Sequence, residues 1–274
     1  ENFLQDPPDV FVGIDAPEFN LNVAPKLHAA GIPTVQYVSP QVWAWRQGRV
    51  KSMAQSLDEV LCLLPFEAAF YADHAVRARF VGHPLADEIP LEIDRTAARE
   101  ALGIAPDATV LAVLPGSRLG EVRRLGADFA AAASRLAARP EHKGLVSIAP
   151  MARVRATFAA QVAAAGASVQ LVEGQSRRVL AAADVVLVAS GTATLETLLH
   201  QRPMVVAYRV APLTAFLARD LGLVKVRHVS QPNLLAGEAL VPEFLQEAVT
   251  PAALSDALAR QLGDAVNRAA SRAR

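Results

Sequence analysis

A four-residue segment directly after an apolar run contains a glycine, a hydroxyl group and a guanidinium group. The run Val110–Leu114 leads into Pro115-Gly116-Ser117-Arg118, and a helical pattern follows with Glu121 in its first turn. A strand that ends in a glycine turn at a helix N-terminus offers free backbone N–H groups to an anion. Ser117 adds a hydroxyl, and the forked cation of Arg118 suits phosphate oxygens. The pattern indicates a phosphate site, with an ordinary strand-to-helix turn as the alternative.

A second turn of the same kind follows the apolar run Val185–Val188. It contains Ser190, Gly191 and Thr192, of which the glycine permits close backbone approach and the hydroxyls can cap a helix or hold phosphate. Glu196 lies four residues beyond Thr192, on the same helix face, where a carboxylate can accept hydrogen bonds from a ribose diol. A capping motif with a surface glutamate explains this segment equally well by itself. No Gly-x-Gly-x-x-Gly or Walker A pattern accompanies either turn, which disfavours a nicotinamide enzyme or a P-loop ATPase.

Two further segments carry polar side chains next to predicted strands. Asp15 follows the run Asp9–Ile14, a position suited to a general base, although an aspartate there also caps helices. The segment Ser230–Gly237 reads as a loop after the last strands. Its Asn233 is a candidate for contact with a base edge, and ordinary turn chemistry is the alternative.

The two tryptophans of the chain lie together among cations. Trp43, Trp45 and Arg46 fall in a segment that continues to Lys51. Such a segment can cap an aromatic or sugar ring, or contact anionic lipid headgroups. A helix start with buried tryptophans and a solvated basic face explains it equally well.

Short β-branched runs alternate with alanine-rich amphipathic stretches along most of the chain. This pattern is typical of parallel sheets covered by helices, and it excludes an all-β or bundle fold. The predicted strands are Asp9–Ile14, Thr34–Val38, Glu59–Leu63, Ala78–Val81, Val110–Leu114, Leu145–Ile148, Val169–Val172, Val185–Val188 and Met204–Ala207. The predicted helices include Arg95–Leu102, Glu121–Ala138, Arg153–Ala165, Gln175–Ala183 and Thr192–His200.

Composition and length constrain the organisation of the molecule. The 274 residues predict two domains, 1–88 and 89–274, with a linker near 84–94 where prolines break the pattern. A formal net charge of zero gives no basic field for nucleic acid, so no nucleic acid partner is expected. The single cysteine, Cys62, excludes a disulfide framework and is predicted to be a core residue. The chain opens on Glu1 rather than methionine, and we interpret it as a fragment.

Eight segments carry a resemblance to a known family. In order along the chain they are DVFVGIDAPEFN (9–20), YVSPQVWAWRQGRV (37–50), LPFEAAFY (64–71), FVGHPLAD (80–87), LPGSRLGEV (114–122), ASGTATLET (189–197), PMVVAYR (203–209) and SQPNLLAG (230–237). Together they resemble lipid-A-disaccharide synthase, a glycosyltransferase of the GT-B fold. The resemblance covers essentially the whole chain, and GIDAPEFN and VSPQVWAWRQ are its most specific parts.

The resemblance implies an α/β architecture of two doubly wound, Rossmann-like domains that face a cleft, the first for the acceptor and the second for the UDP sugar. The implied reaction is an inverting transfer of diacylglucosamine from UDP to diacylglucosamine 1-phosphate, which forms a β(1→6) disaccharide. It needs no cofactor, and no DxD-type metal site is seen in the sequence. The implied location is peripheral, on the cytoplasmic face of the inner membrane of a Gram-negative bacterium, and the implied assembly is a homodimer.

The resemblance also assigns roles to residues. Asp15 would act as the catalytic base, Arg118 would hold the departing diphosphate, and Glu196 would take the ribose. The other residues implied on the nucleotide side are Ser117, Ser190, Gly191, Thr192 and Asn233. Those considered for the acceptor or membrane side are Trp43, Trp45, Arg46 and His83, the last in the Gly-His-Pro turn.

Two departures and three alternatives accompany this interpretation. The family's glycine-rich GExSGD-type loop upstream and its C-terminal helices are missing, so the first domain is expected to be incomplete, with an exposed edge and unpaired apolar faces. The alternatives are a UDP-N-acetylglucosamine 2-epimerase-like enzyme, a non-catalytic nucleotide-sugar-binding fragment and a dinucleotide oxidoreductase. Detergent-dependent use of an acylated acceptor separates the first from the synthase, UDP binding without transfer supports the second, and NAD binding the third.

Overall fold

The computed structural model describes residues 2–44, 47–151, 153–211 and 227–272. They form two compact units, one built from residues up to Glu88 and one that begins at Ile89. None of the described helices is long and apolar enough to cross a membrane.

The first unit contains a four-stranded parallel sheet in the order β1-β2-β3-β4. Its strands are β1 (Phe11–Ile14), β2 (Thr34–Tyr37), β3 (Glu59–Cys62) and β4 (Ala78–Phe80). Its helices are α1 (Asn2–Gln5), α2 (Pro17–Ala29), α3 (Val50–Ser56), α4 (Pro65–Ala72) and α5 (Pro84–Glu88), with short 3₁₀ turns at Gln41–Trp43 and Gln47–Arg49. The register places Gly13 of β1 opposite Gln36 of β2.

Helices α2, α3 and α4 share one hydrophobic core with this sheet. Ala24, Met53 and Tyr71 from the three helices pack around Val60 and Cys62 of β3. Cys62 is fully buried in this core, as the sequence predicts, and burial raises the pKa of its thiol to about 12.

The β1 side of the first sheet is exposed. Val10, Val12 and Ile14 are 45%, 46% and 66% exposed, and among the described strands none pairs with the outer edge of β1. The prediction of an exposed apolar edge is therefore confirmed for the described part of the chain.

The second unit contains a six-stranded parallel sheet in the order β10-β9-β8-β5-β6-β7. Its strands are β5 (Val110–Leu114), β6 (Val146–Pro150), β7 (Val169–Val172), β8 (Val185–Ala189), β9 (Met204–Tyr208) and β10 (Glu243–Leu245). Its helices are α6 (Arg95–Ala101), α7 (Leu119–Ala137), α8 (Arg155–Ala164), α9 (Ser176–Ala182), α10 (Thr192–Leu199), α11 (Gln231–Ala236) and α12 (Pro251–Arg272), with 3₁₀ turns at Pro140–His142 and Gln246–Ala248.

Strands β5 and β8 lie at the centre of this sheet and are buried along their whole length. Alternate residues of β5 enter opposite cores: Leu111 and Val113 pack with α7 and α8, whereas Val110 and Ala112 pack with α6 and α9. A strand covered on both faces must be apolar at every position, which explains the unbroken apolar runs in the sequence.

The strand order reverses between β5 and β8. From β5 the chain proceeds through β6 to β7 on one side, and then returns to place β8, β9 and β10 on the other. In an open parallel sheet, such a switch point leaves a crevice beyond the carboxyl ends of the two strands. The turns that carry Arg118 and Ser190 follow those two strands.

The structure confirms the predicted α/β class and contains all nine predicted strands. It corrects two details at the C-terminal side. The predicted loop at 230–237 is largely the helix α11, and it precedes a further strand, β10, so it does not follow the last strand. The long helix α12 was also not predicted.

Candidate functional site

A cavity of about 330 Å³ lies beyond the carboxyl ends of β5, β8 and β9. The side chains and backbone around it come from the turns after these three strands and from the first turns of α7. The polar and charged residues that line it are Arg118, Glu121, Arg124, Ser190, Tyr208 and Arg209. Three guanidinium groups and one carboxylate give the cavity wall an excess of positive charge, which favours an anionic ligand.

The turn before α7 is closed by Glu121. The backbone N–H groups of Ser117 and Arg118 donate to Oε2 of Glu121 at 3.0 and 3.2 Å. Gly116 has φ +118, and a Cβ atom there would lie 2.5 Å from that carboxylate oxygen. The expectation of free N–H groups at these two residues is therefore wrong, because the glutamate in the first turn caps them.

The side chain of Arg118 is the part of this turn that is open to solvent. It is 84% exposed, and Nη1 donates to Oε1 of Glu121 at 3.1 Å. Within the described residues this is the ion pair that holds Arg118, and an exposed guanidinium so held can turn toward a bound anion at little cost.

Arg124 and Arg209 join the cavity wall to the rest of the unit. Nε of Arg124 donates to the carbonyl of Arg209, and Nη1 of Arg209 donates to the carbonyl of Arg124 at 2.7 Å and to Asp128 at 2.6 Å. Nη2 of Arg209 donates to the carbonyl of Val249 at 2.7 Å. Arg209 therefore fixes the segment after β9 against α7.

The turn before α10 has the conformation that its glycine requires. Gly191 has φ +151, a region that side chains rarely adopt. The Ser190 hydroxyl donates to the carbonyl of Val229 at 2.7 Å, and Ser190 lines the cavity while Gly191 and Thr192 are exposed beside it. The structure thus brings Arg118 and Ser190 to one cavity.

Glu196 lies one turn along α10 and is mostly buried. Its carboxylate is 4.0 Å from Nε of Arg177, in the first turn of α9. It does not line the cavity that holds Arg118 and Ser190.

Asn233 is buried in α11, and its amide is occupied. Nδ2 donates to the carbonyl of Val241 at 2.9 Å, and Oδ1 accepts from the Val241 N–H at 2.8 Å. In this structure Asn233 ties α11 to the segment before β10.

In the first unit, Asp15 is exposed directly after β1. Asp15 and Ala16 both have positive φ, +48 and +38. The backbone of Asp15 is held on both sides: its N–H donates to the Tyr37 carbonyl at 2.9 Å, and its carbonyl accepts from the side-chain amides of Asn20 and Gln36. A rigid backbone therefore carries the exposed carboxylate.

Trp43 packs into the first unit. Its indole N–H donates to Glu67 at 3.2 Å, and its ring meets Phe66 edge-on with centroids 4.9 Å apart. Burial raises the pKa of Glu67 above its ordinary value, partly offset by the Leu64 N–H that it also accepts. Of the two interpretations of this segment, the anchored tryptophan applies to Trp43, whereas Trp45 and Arg46 lie outside the described residues.

His83 lies in the turn before α5 and is partly buried. Its Nδ1 accepts the Leu85 N–H at 3.1 Å, which leaves the proton of the neutral ring on Nε2. Burial lowers the pKa of His83, so the ring is neutral at pH 7. Nothing in the described chain gathers three or more His, Cys, Asp or Glu side chains in a cluster suited to a metal ion.

A family model described as lipid-A-disaccharide synthetase matches residues 1–273. The chain belongs to the lipid-A-disaccharide synthase family. A relative from Alkalilimnicola ehrlichii, named lipid-A-disaccharide synthase, is 56% identical over an alignment that covers 99% of this chain and 72% of that protein.

Two solved structures resemble this family member in fold. The glycosyltransferase WaaG, involved in lipopolysaccharide biosynthesis, gives a TM-score of 0.54 at 15% identity and covers 96% of this chain and 71% of its own. HepE from Anabaena, in complex with UDP and glucose, gives 0.52 at 14% identity and covers 97% of this chain and 76% of its own. The GT-B fold that the family resemblance implies is confirmed.

Membership of the synthase family confirms the predicted enzyme class, a glycosyltransferase that forms the lipid A disaccharide. The 2-epimerase and the non-catalytic fragment are not favoured.

Sequence reasoning missed three of the polar or charged residues that line the cavity in this family member. Tyr208 and Arg209 directly follow the ninth predicted strand, so the rule that identified Ser117 and Ser190 also identifies them. Arg124 lies on α7, six residues beyond Arg118, and only the fold places it at the cavity.

Proposed function

We propose that this chain transfers 2,3-diacylglucosamine from UDP to 2,3-diacylglucosamine 1-phosphate, with inversion at the anomeric carbon, to form the β(1→6) lipid A disaccharide 1-phosphate and UDP. The observation that carries the proposal is the positively charged cavity at the β5/β8 switch point, where Arg118, Arg124 and Ser190 meet. This is where an open parallel sheet binds ligands, and its charge suits a diphosphate. HepE, which has a similar fold, was crystallised with UDP.

Asp15 is proposed as the base. Its carboxylate takes the proton from the acceptor 6-hydroxyl as that oxygen bonds to the anomeric carbon, and the bond from that carbon to the UDP oxygen breaks. UDP leaves as an anion, so no second acid is required. The exposed position of Asp15 on a fixed backbone supports this role.

Arg118 and Arg124 are proposed to stabilise the charge that develops on the diphosphate, with the Ser117 and Ser190 hydroxyls, Gly191 and Thr192 beside it. Glu196 is proposed to accept hydrogen bonds from the ribose, for which it would exchange the 4.0 Å contact with Arg177. Asn233 is proposed to support the nucleotide side by holding α11 in place.

The test uses Asp15→Asn, Arg118→Ala and a matched control, Arg123→Ala. Arg123 is an exposed arginine in the first turns of α7, the helix that follows Arg118, and it does not line the cavity. Disaccharide formation is measured with both acylated sugars in detergent micelles, and UDP affinity by calorimetry. Asp15→Asn should lose about 10²-fold or more in kcat at unchanged UDP affinity. Arg118→Ala should weaken UDP binding roughly 10-fold or more, because a charge-assisted hydrogen bond is lost, while Arg123→Ala should change neither quantity.

Near-normal turnover by Asp15→Asn would remove the base assignment. Equal UDP affinities for Arg118→Ala and Arg123→Ala would remove the diphosphate assignment. UDP binding by the wild-type chain without any disaccharide would count against the transfer itself.

We also propose that the chain works as a peripheral protein on the cytoplasmic face of the inner membrane, because both sugars are anchored by acyl chains, and as the homodimer that its family implies. The same assay with the sugars embedded in vesicles tests the membrane assignment. Turnover there supports it, and turnover restricted to dispersed substrate contradicts it.

A further inference from the structure

The turn that carries Asp15 lies in an unusual backbone conformation. Asp15 and Ala16 follow one another at φ +48 and +38, and Val38, at the end of the neighbouring strand, has φ +72. Left-handed backbone conformations are unfavourable for residues that have a Cβ atom, and they are most unfavourable for β-branched residues such as valine. Three such residues in adjacent turns persist only where surrounding contacts hold them.

Gln36 supplies the largest share of those contacts. Its side chain is fully buried, and Nε2 lies 3.0, 3.1 and 3.2 Å from the carbonyl oxygens of Asp15, Tyr37 and Val38. One primary amide nitrogen thus donates into both strained turns at once. Within the described chain, Oε1 of Gln36 has no hydrogen-bond partner, so the donor side of this amide is what the fold uses.

Asn20 provides a second amide from the first turns of α2. It is 6% exposed, and its Nδ2 donates to the same Asp15 carbonyl at 2.6 Å. Gly13 makes room for both amides, since a Cβ atom there would lie 2.8 Å from Cγ of Asn20 and 2.8 Å from Oε1 of Gln36. The glycine and the asparagine of the GIDAPEFN segment therefore both help to hold the turn that carries Asp15.

We propose that Gln36 and Asn20 are positioning residues for Asp15. The two buried amides fix the Asp15 carbonyl in the left-handed turn and thereby set the direction in which its carboxylate projects. Neither amide touches substrate. This inference rests on the proposed role of Asp15 as the base, and the alternative is that the amides only stabilise the fold of the first unit.

The test replaces each amide by an apolar side chain of similar shape, Gln36→Met and Asn20→Leu. Thr34→Val is the matched control, because Thr34 is buried on the same strand and its hydroxyl donates to Ser56, not to Asp15. The two amide variants should lower kcat about 10- to 100-fold, as expected when a reacting group is misplaced, with KM and UDP affinity unchanged. Thr34→Val should keep its kcat within about twofold even where it lowers the melting temperature.

The decisive readout is the same change in an Asp15→Asn background. If a residue acts only through the Asp15 carboxylate, its substitution lowers the rate no further once that carboxylate is removed. If the substitution damages the fold in general, it lowers the rate by the same factor in both backgrounds. We expect Gln36→Met and Asn20→Leu to change the residual rate of Asp15→Asn by less than about twofold. If Gln36→Met does not fold, Asn20→Leu alone decides.

An unchanged kcat in the folded amide variants, or an equal loss in both backgrounds, would overturn the proposal while the base assignment stands. Normal turnover by Asp15→Asn itself would instead overturn the base assignment, so the two failures are distinguishable.

Discussion

At the scale of single residues, the turn between β5 and α7 depends on one glycine. Gly116 combines φ +118 with an approach by Glu121 that leaves no space for a Cβ atom. The Glu121 carboxylate can then reach the N–H groups of Ser117 and Arg118 and place the Arg118 side chain at the cavity. The backbone conformation of Gly116, the cap by Glu121 and the position of Arg118 at the cavity are therefore linked in one turn.

This link predicts the effect of Gly116→Ala. Gly144→Ala is the control, since Gly144 has φ +83 but nothing within 4 Å of its hypothetical Cβ atom. Both changes should lower the free energy of unfolding by roughly 1–3 kcal/mol through backbone strain, measured by denaturant titration. Gly116→Ala alone should also weaken UDP binding, because Glu121 must move. Equal UDP affinities in the two variants would show that the turn does not form the nucleotide site.

The sequence predicts the residues of this turn but not their use. A glycine, a hydroxyl and an arginine after a strand indicate an anion site, and Arg118 does line a positively charged cavity. The occupancy of the backbone donors by Glu121 could not be predicted, because the same residue types serve a capped turn and an open one. The strained turn at Asp15 could not be predicted either, because its two amide donors, Asn20 and Gln36, come from different elements.

At the scale of elements, α11 is held by contacts from β10, from the segment before β10 and from α10. Asn233 binds the main chain of Val241, and Glu243 on β10 accepts from the backbone N–H groups of Val229 and Ser230. Thr194 of α10 accepts the Gln231 N–H at 3.3 Å. Helix α11 therefore joins β10 to the turn that carries Ser190.

This arrangement predicts that Asn233→Ala acts through the fold. Removal of the amide leaves the Val241 N–H and carbonyl without these partners, which should cost roughly 1–3 kcal/mol of unfolding free energy. UDP affinity should fall along with stability. Asn233→Asp should cost at least as much stability as Asn233→Ala, because it places a buried carboxylate oxygen against the Val241 carbonyl. A loss of UDP affinity at unchanged stability would instead indicate direct contact between Asn233 and the nucleotide.

Long buried strands could be predicted from the sequence more easily than short elements or elements at the edge of the sheet. The nine predicted strands were recognisable because buried parallel strands are unbroken apolar runs. Strand β10 has only three residues and borders the sheet, so it lacks that signal. Helix α11 has Pro232 in its first turn and Gly237 directly after its last residue, and both residue types are also ordinary turn formers.

At the scale of the whole molecule, strand order creates the site. Arg118 and Ser190 are 72 positions apart in the sequence, and they meet because β5 and β8 are neighbours at the point where the order reverses. Alternating strands and helices predict a parallel sheet, but they do not specify which strands become neighbours. The sequence therefore predicts the two turns separately, but it does not predict that they line one cavity.

The central claim is that the nucleotide diphosphate binds at this switch point in the second unit. The most direct test is backbone amide hydrogen exchange with and without saturating UDP. We expect slower exchange in residues 115–121 and 189–195 and in the segment after β9. We expect no change in residues 140–146, at the amino ends of the strands, or in the turn at residues 13–20. Slower exchange confined to those two segments, or none anywhere at saturating UDP, would contradict it.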